Sequence, residues 1–529
     1  MKSSDGCFNG LLLQRFKHLK QFKEFHAHLL KSLIPHGNAL PVGRLLSATA
    51  LSGDPTIFDY ARSIFRNLPH HNTFMYNTMI RGYSQMHAPV SAIACYLAML
   101  KNGLPVNNFT FPPLIKACTL LFSASSLSVG RLVHAHVVQF GLSDDGFVQS
   151  AFIELYCSVL DLGAARKVFD RCSKRDVVLW TALIDGYAKS GDVQMARKLF
   201  EEMPERNTIS WSVMIAAYTR VNDFEEALSL FQQMQETGTR PNESILVSVL
   251  TSCAHLGALT HGLWVHSYVK LNKLDSNPIL ATALVDMYAK CGRVEAALSV
   301  FENIVEKDIG SWNAIISGLA ISGRAKKSLE LFNEMLIKGM QPNEVTFVAI
   351  LNACAHAGLV EEGRELFYRM KMVYGVEPQL AHHACMIDLL ARAGFVEEAE
   401  MFVEEKMGGF SKGDANIWGA LLNACRIHGK VEVGNRVWEK LARLRLADCG
   451  IYVLLYNLYR EAGWEMEASR VRGTITEEGL KKKPGCSMIE IEGVFDEFLA
   501  GDFSHPQARK ISEVVDSLTN IVKSEGLYQ

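Results

Sequence analysis

Thr181 sits where a side chain can do recognition chemistry. Within residues 177–190, Val178, Thr181 and Asp185 fall at i, i+3 and i+7, a line of their own turned away from the apolar stripe Trp180, Leu183, Ile184 and Tyr187. Asn207, at the end of the same stretch, lies in the loop that leads to the next helix and returns to the same neighbourhood. A hydroxyl, a carboxamide and a carboxylate are short donors and acceptors, suited to holding a ligand rather than to making or breaking bonds. Covalent chemistry has no comparable candidate: no P-loop or HExxH occurs, and neither HxE nor CxxC is present. His26 with His28 and His134 with His136 form HAH pairs, but both lie in the same slot of longer repeats. Cys118, Cys253, Cys354 and Cys425 likewise share one slot, in IKAC, LTSC, LNAC and LNAC. Small residues recurring on an apolar helix face read as packing, so the expectation is no enzyme, no metal, no cofactor and a reducing compartment.

The elements that must position Thr181 are written several times over. Residues 177–207 (VVLWTALIDGYAKSGDVQMARKLFEEMPERN) are echoed by 208–242, 278–308 and 309–343. Phe169, Phe200, Phe231, Phe301, Phe332, Phe367 and Phe402 mark the period, and self-similarity at this spacing signals a solenoid whose units bury their apolar faces only by stacking. Within 177–207 the first helix carries the Trp180 stripe, Gly191 makes a turn, and Val193, Ala196, Phe200 and Met203 rebuild a stripe that Pro204 stops. Each unit is thus a pair of short antiparallel helices. In stacked pairs, the Val178, Thr181 and Asp185 line faces the groove.

Composition narrows the partners. The chain is 49% hydrophobic and 21% charged, as folded proteins are, and carries a formal net charge of −2. A broad basic field is absent, so any nucleic-acid binding rests on placed side chains or local patches. No run of 18 or more apolar residues occurs, and membrane insertion is not expected. The N-terminus carries Lys2, Arg15, Lys17, Lys20 and Lys23 against Asp5 and Glu24, and reads either as an amphipathic organelle presequence or as an ordinary first helix.

Along the chain, a helix pair spans 39–72 with a small insertion around Ser52 to Pro55. A 35-residue unit (73–107), a longer one (108–145) and a 31-residue one (146–176) follow. After 343 come another long variant (344–379) and a further unit (380–414). The phrases YNTMIRGY, WTALIDGY and ALVDMYAKCG, with units closing in PERN, TRPN, EKD and MQPN, resemble pentatricopeptide repeats. The cycling of lengths resembles the mixed-length PLS class of plant organelle members. A tetratricopeptide array fits less well, since the lengths are unequal and its WxxLGxxY signature is missing. The resemblance covers roughly residues 11–414, about eleven repeats, after a segment 1–10 open to a targeting reading. Residues 415–483 resemble the degenerate E motifs and 484–529 the E+ segment, with Met488 where the family usually has Trp. Met488, Ile489, Glu490, Ile491 and Glu492 alternate as a short strand. Family members that continue further carry a cytidine-deaminase-like DYW domain, and the sequence to Gln529 shows neither of its zinc signatures.

The resemblance implies an all-α fold, a right-handed superhelical solenoid of helix-turn-helix repeats. It also implies that the fifth and last residues of each repeat read one RNA base. By that matching the readers are Asn77 with Asn107, Ser150 with Asp176, Thr181 with Asn207, Ser212 with Asn242, Thr282 with Asp308, and Asn313 with Asn343. Val178, Ile209 and Ile279 are the apolar residues that stack on bases, while Gly310 departs from the pattern. The longer units offer Pro112, Val247 and Val348 at the fifth place, which cannot read an edge. The family code then implies G, A, A, any base, G and a pyrimidine from Ser150 to Asn343, each pair contributing about 1–3 kcal/mol. Taken singly, every such residue is also an ordinary helix cap or turn residue. The implied partners are a single-stranded organelle RNA and a DYW-type deaminase from another chain, the function site recognition in cytidine-to-uridine editing, and the compartment the mitochondrion, with the chloroplast as alternative. Transcript stabilisation or splicing, and a protein-binding scaffold, are the competing readings.

Overall fold

In the computed structural model, residues 18–33, 40–121, 123–172, 175–407, 415–444, 449–477, 486–491, 494–499 and 506–524 are described. The segment 1–10, with its targeting reading, lies outside them, as does Glu492.

Caps set the length of each helix. The Asp176 carboxylate accepts from the Leu179 N–H at 2.9 Å and starts the Val177–Ser190 helix, and Gly191 ends it at φ 90°, a left-handed conformation that a Cβ disfavours. Asp192 then caps Val193–Glu202 through the Met195 N–H at 3.0 Å. Asn207 opens Thr208–Arg220 with a capping box: its Oδ1 accepts from the Ser210 N–H at 2.9 Å, and Ser210 Oγ accepts from the Asn207 N–H at 3.1 Å. Two helices joined by two residues can pack on each other only as an antiparallel hairpin.

The hairpins form two bodies. In the N-terminal body (residues 1–223 and 230–240), the first helices Leu40–Ala50, Thr73–Gln85, Phe111–Thr119, Gly146–Ser158, Val177–Ser190 and Thr208–Arg220 pack in succession, each on the next. In the C-terminal body (residues 224–229 and 241–529), Glu243–Leu256, Pro278–Lys290, Ile309–Ile321, Glu344–Ala357, Leu380–Arg392, Ala415–Ile427 and Cys449–Glu461 do the same. Within each body, second helices such as Val193–Glu202 and Val294–Glu302 pack against their own first helices. Beyond the last pair, Cys486–Ile491 and Val494–Leu499 form an antiparallel hairpin with Ile491 opposite Val494, which places a strand where the Met488 to Ile491 alternation predicts one. All other described elements are helices.

The periodic aromatics are the mortar between hairpins. Phe169, Phe200, Phe231, Phe301 and Phe332 are buried. Three of them meet the tryptophan of the following unit edge to face: Phe169 with Trp180, Phe200 with Trp211 and Phe301 with Trp312, each at 4.8 Å. Neighbouring first helices also approach closely at glycines, since a Cβ at Gly186 would collide with Cys157 Sγ and one at Gly318 with the Ala289 methyl. Cys118, Cys253, Cys354 and Cys425 are fully buried at this helix row, and burial pushes the thiols of Cys118, Cys354 and Cys425 up to about 12. His134 bonds the Tyr156 hydroxyl at 2.8 Å and His136 that of Tyr96 at 2.9 Å, so the two rings of this HAH pair serve different helix contacts.

Toward the C-terminus the hairpins are tied by charge as well. Glu400 is buried, and Arg436 holds it with two bonds, at 2.6 and 3.1 Å, while Lys440 Nζ lies at 3.3 Å. The Arg436 hydrogen bonds, aided by Lys440, hold its carboxyl below the usual glutamate range despite burial, which acts the other way.

Candidate nucleic-acid interface

In the N-terminal body a concavity of about 610 Å³ is lined by Ser150, Val178, Thr181, Asp185, Asn207 and Ile209 among others. It unites two expected reader residues of one unit, one of the unit before, and the apolar residues of two units. Its geometry follows from the helix period: Thr181 lies one turn below Val178, and Asn207 enters from the start of the next helix. Val178 and Ile209 are each 60% exposed, so the concavity presents two apolar side chains to whatever enters it. Asp185 also lines the space and holds Lys189 at 2.6 Å, so the cation there is already half-compensated.

Hydrogen bonding decides what the polar residues can still offer. Thr181 Oγ1 donates its proton to the Val177 carbonyl at 2.6 Å and is left as an acceptor. Asn207 spends Oδ1 on capping and keeps its Nδ2 donor. Asp176 spends one oxygen on the Leu179 N–H and keeps the other as an acceptor. Asp308 does the same toward the Ser311 N–H at 2.8 Å. The last residue of a unit is therefore both a cap and a supplier of one free polar atom.

The remaining expected readers differ in kind. Ser150 and Ser212 are half-buried. Ser212 lies in the N-terminal body and Asn242 in the other, where it caps the next helix through the Ile245 N–H at 3.0 Å. Ile279 is 64% exposed, like Val178 and Ile209, but the Thr282 hydroxyl is covered and has no hydrogen-bond partner. The two asparagine pairs are joined directly: Asn77 Nδ2 donates to Asn107 Oδ1 at 2.9 Å, and Asn313 Nδ2 to Asn343 Oδ1 at 3.1 Å.

Two sets of residues escape the sequence reading. Phe74, Phe109, Phe147 and Val345 occupy the second position of their units, the register of Val178, and all are exposed, Phe147 by 77%. The register alone identifies them. Arg175, Arg206 and Lys307 precede Asp176, Asn207 and Asp308; each lies over the phenylalanine of its own second helix, at 4.9, 5.0 and 5.1 Å. Arg206 also donates to the carbonyls of Phe200 and Glu201, both at 3.0 Å, and Lys307 to that of Ile304 at 2.7 Å. These cations close the C-terminal end of a helix and thereby fix the residue that follows.

Comparison with known proteins agrees with the repeat pattern. Residues 71–119, 206–255 and 307–356 match the PPR repeat family, residues 178–208, 280–309, 345–373 and 384–406 match the PPR repeat, and residues 428–490 match the E motif. The chain is 44% identical over 500 residues to the Arabidopsis thaliana pentatricopeptide repeat-containing protein At5g66520, covering 94% of this chain and 79% of the relative. It is 40% identical over 464 residues to At2g22410, mitochondrial, of the same plant, covering 88% and 67%. Other relatives are named as chloroplastic. Among solved structures, that of the pentatricopeptide repeat protein PPR10 from maize aligns with a TM-score of 0.49 at 16% identity, over 87% of this chain and 73% of that one.

Proposed function

This chain belongs to the pentatricopeptide repeat family, and from that premise we propose that it binds one single-stranded organelle RNA, a base per unit, and marks a cytidine for conversion to uridine. The observation that carries the reading is the shared concavity: two exposed apolar side chains, Val178 and Ile209, flank Thr181 and Asn207. A base fits this chemistry. Its faces stack on the apolar pair, and its edge meets Thr181 Oγ1 as acceptor and Asn207 Nδ2 as donor. That order complements adenine, which offers an amino donor at N6 and an acceptor at N1. Where the unit ends in aspartate, as at Asp176 and Asp308, the free acceptor suits the N1–H of guanine instead. A formal net charge of −2 is compatible with this, because stacking and edge contacts, and not a basic field, supply the affinity.

The partner of this reading is a deaminase acting from another chain, and the segment matching the E motif, with the strand region from Ser487, is the docking region we assign to it. The mitochondrion is the compartment we assign, in keeping with the relative At2g22410.

Two measurements test the proposal. In a gel-shift, RNA carrying G, A, A, any base, G, pyrimidine binds more tightly than RNA with these purines exchanged; equal binding of both overturns the base reading. Sequencing of mitochondrial and chloroplast cDNA from a loss-of-function line shows one cytidine left unconverted. A full set of edited sites with altered transcript length or abundance instead assigns stabilisation or splicing.

A further inference from the structure

Each of the two Asn–Asn pairs has a threonine as its third member. Thr346, fully buried, sits at the third position of the unit after Asn313, and its Oγ1 lies 2.7 Å from Asn313 Oδ1 and 3.0 Å from Asn343 Oδ1. It also accepts from the Asn343 backbone N–H at 3.1 Å. Thr110 stands in the same relation to Asn77, at 2.8 Å, and to Asn107, at 3.2 Å for both Oδ1 and the backbone N–H, and it too is fully buried. The two sites lie in different bodies of the protein, so one constellation occurs twice independently.

Each hydroxyl has one proton to give. The shorter contact assigns it to Asn313 Oδ1 at one site and Asn77 Oδ1 at the other. This fixes the amide: its oxygen is taken by threonine, and one Nδ2–H goes to the oxygen of the partner asparagine. Asn343 Oδ1 additionally accepts from the Thr346 N–H at 3.1 Å. What remains for a ligand is N–H from both amides, two donors side by side. Among the described residues the arrangement is confined to asparagine-first pairs. Ser210 and Ser311, at the equivalent position, give their protons to the backbone carbonyls of Asn207 and Asp308, at 2.9 and 2.8 Å, and do not bond Thr181 or Thr282.

We propose that Thr110 and Thr346 are positioning residues of a three-residue reader, holding both amides as donors so that their units prefer cytosine to uracil. Among the bases only cytosine places two acceptors, N3 and O2, next to each other on its Watson–Crick edge; uracil interposes the N3–H donor between O4 and O2. The inference rests on the RNA-reading function proposed above.

The test measures binding of the full chain to RNAs differing only in C, U or A at the base read by Asn313 and Asn343. The wild-type chain is expected to prefer C over U by about fivefold, the low end of a base-edge discrimination. Thr346→Val removes the proton and lets the amide turn, so the C to U ratio is expected to approach one, and Thr346→Ser is expected to restore it. Thr110→Val makes the same test at the other site, and keeps the question open to decision should Thr346→Val fail to fold. An unchanged C to U ratio in a folded valine variant overturns the proposal, as does equal weakening for C and U, which is what a merely structural role produces. A wild-type chain that does not distinguish pyrimidine from A at this position instead overturns the function on which the proposal rests.

Discussion

Phe200 of one unit meets Trp211 of the next edge to face, with ring centroids 4.8 Å apart and planes at 72°. The same contact recurs at 75° between Phe169 and Trp180 and at 73° between Phe301 and Trp312. On each phenylalanine a cation from the unit's end completes the joint. Stability and positioning thus share one set of atoms, since the residue after that cation is Asp176, Asn207 or Asp308.

Phe200→Ala is expected to lower stability by about 3–5 kcal/mol, the usual cost of emptying a buried aromatic site. Arg206→Gln keeps the ring contact and is expected to cost about 1 kcal/mol. Urea unfolding of the two variants checks the order. An arginine variant as damaging as the phenylalanine one contradicts the assignment of the joint to the ring pair.

Asn207→Asp retains the cap and exchanges a donor for an acceptor. Preference at the corresponding base is expected to move from adenine toward guanine by about 1–3 kcal/mol, read by competition gel-shift. Ile209→Ser touches an exposed side chain, so stability should stay within about 0.5 kcal/mol while affinity falls for every base, because stacking does not read an edge. Uniform weakening by Asn207→Asp speaks against the reader assignment.

Glu400 gives the C-terminal body an acid limit. Its carboxyl is held below the ordinary value of 4.5, first by Arg436, so the contribution is complete at neutral pH and is lost as the pH falls through that lowered value. Glu400→Gln is expected to cost about 1.5–3 kcal/mol at pH 7 and progressively less below pH 4.5, as followed by urea unfolding across pH. A cost that stays constant on acidification argues against the ion pair as its source.

The thiols of Cys118, Cys354 and Cys425, pushed up to about 12 by burial, stay protonated at pH 8. A thiol-modifying reagent followed by peptide mass spectrometry should leave these three unlabelled in the folded chain and label them in urea. Labelling of Cys354 without unfolding contradicts the packing assigned to it.

The hairpin architecture was legible because one period governs it: Phe169, Phe200 and Phe301 recur at the spacing of the unit, and Trp180, Leu183 and Ile184 at that of a helix. The exposed Phe74, Phe109, Phe147 and Val345 stand in the same register as Val178. For Phe109 and Val345 the unreadable fifth places Pro112 and Val348 turn attention away from their longer units, while Phe74 and Phe147 follow from the register alone. Arg206 reads as an ordinary surface charge until its ring contact is seen. Thr110 and Asn77 lie far apart in sequence and meet only because one first helix packs on the next, so no local pattern announces them.

Asn207, Asp176, Asp308 and Asn343 each begin a helix with the same side chain that supplies the free polar atom. The vocabulary open to such a position is therefore short, because only residues that can start a helix keep the unit intact. Asparagine and aspartate, with serine and threonine, are words the array can interchange at little structural expense. Retargeting this chain by redesign is then a matter of spelling within four letters, and a lysine or leucine written there would damage the page before it changed the message.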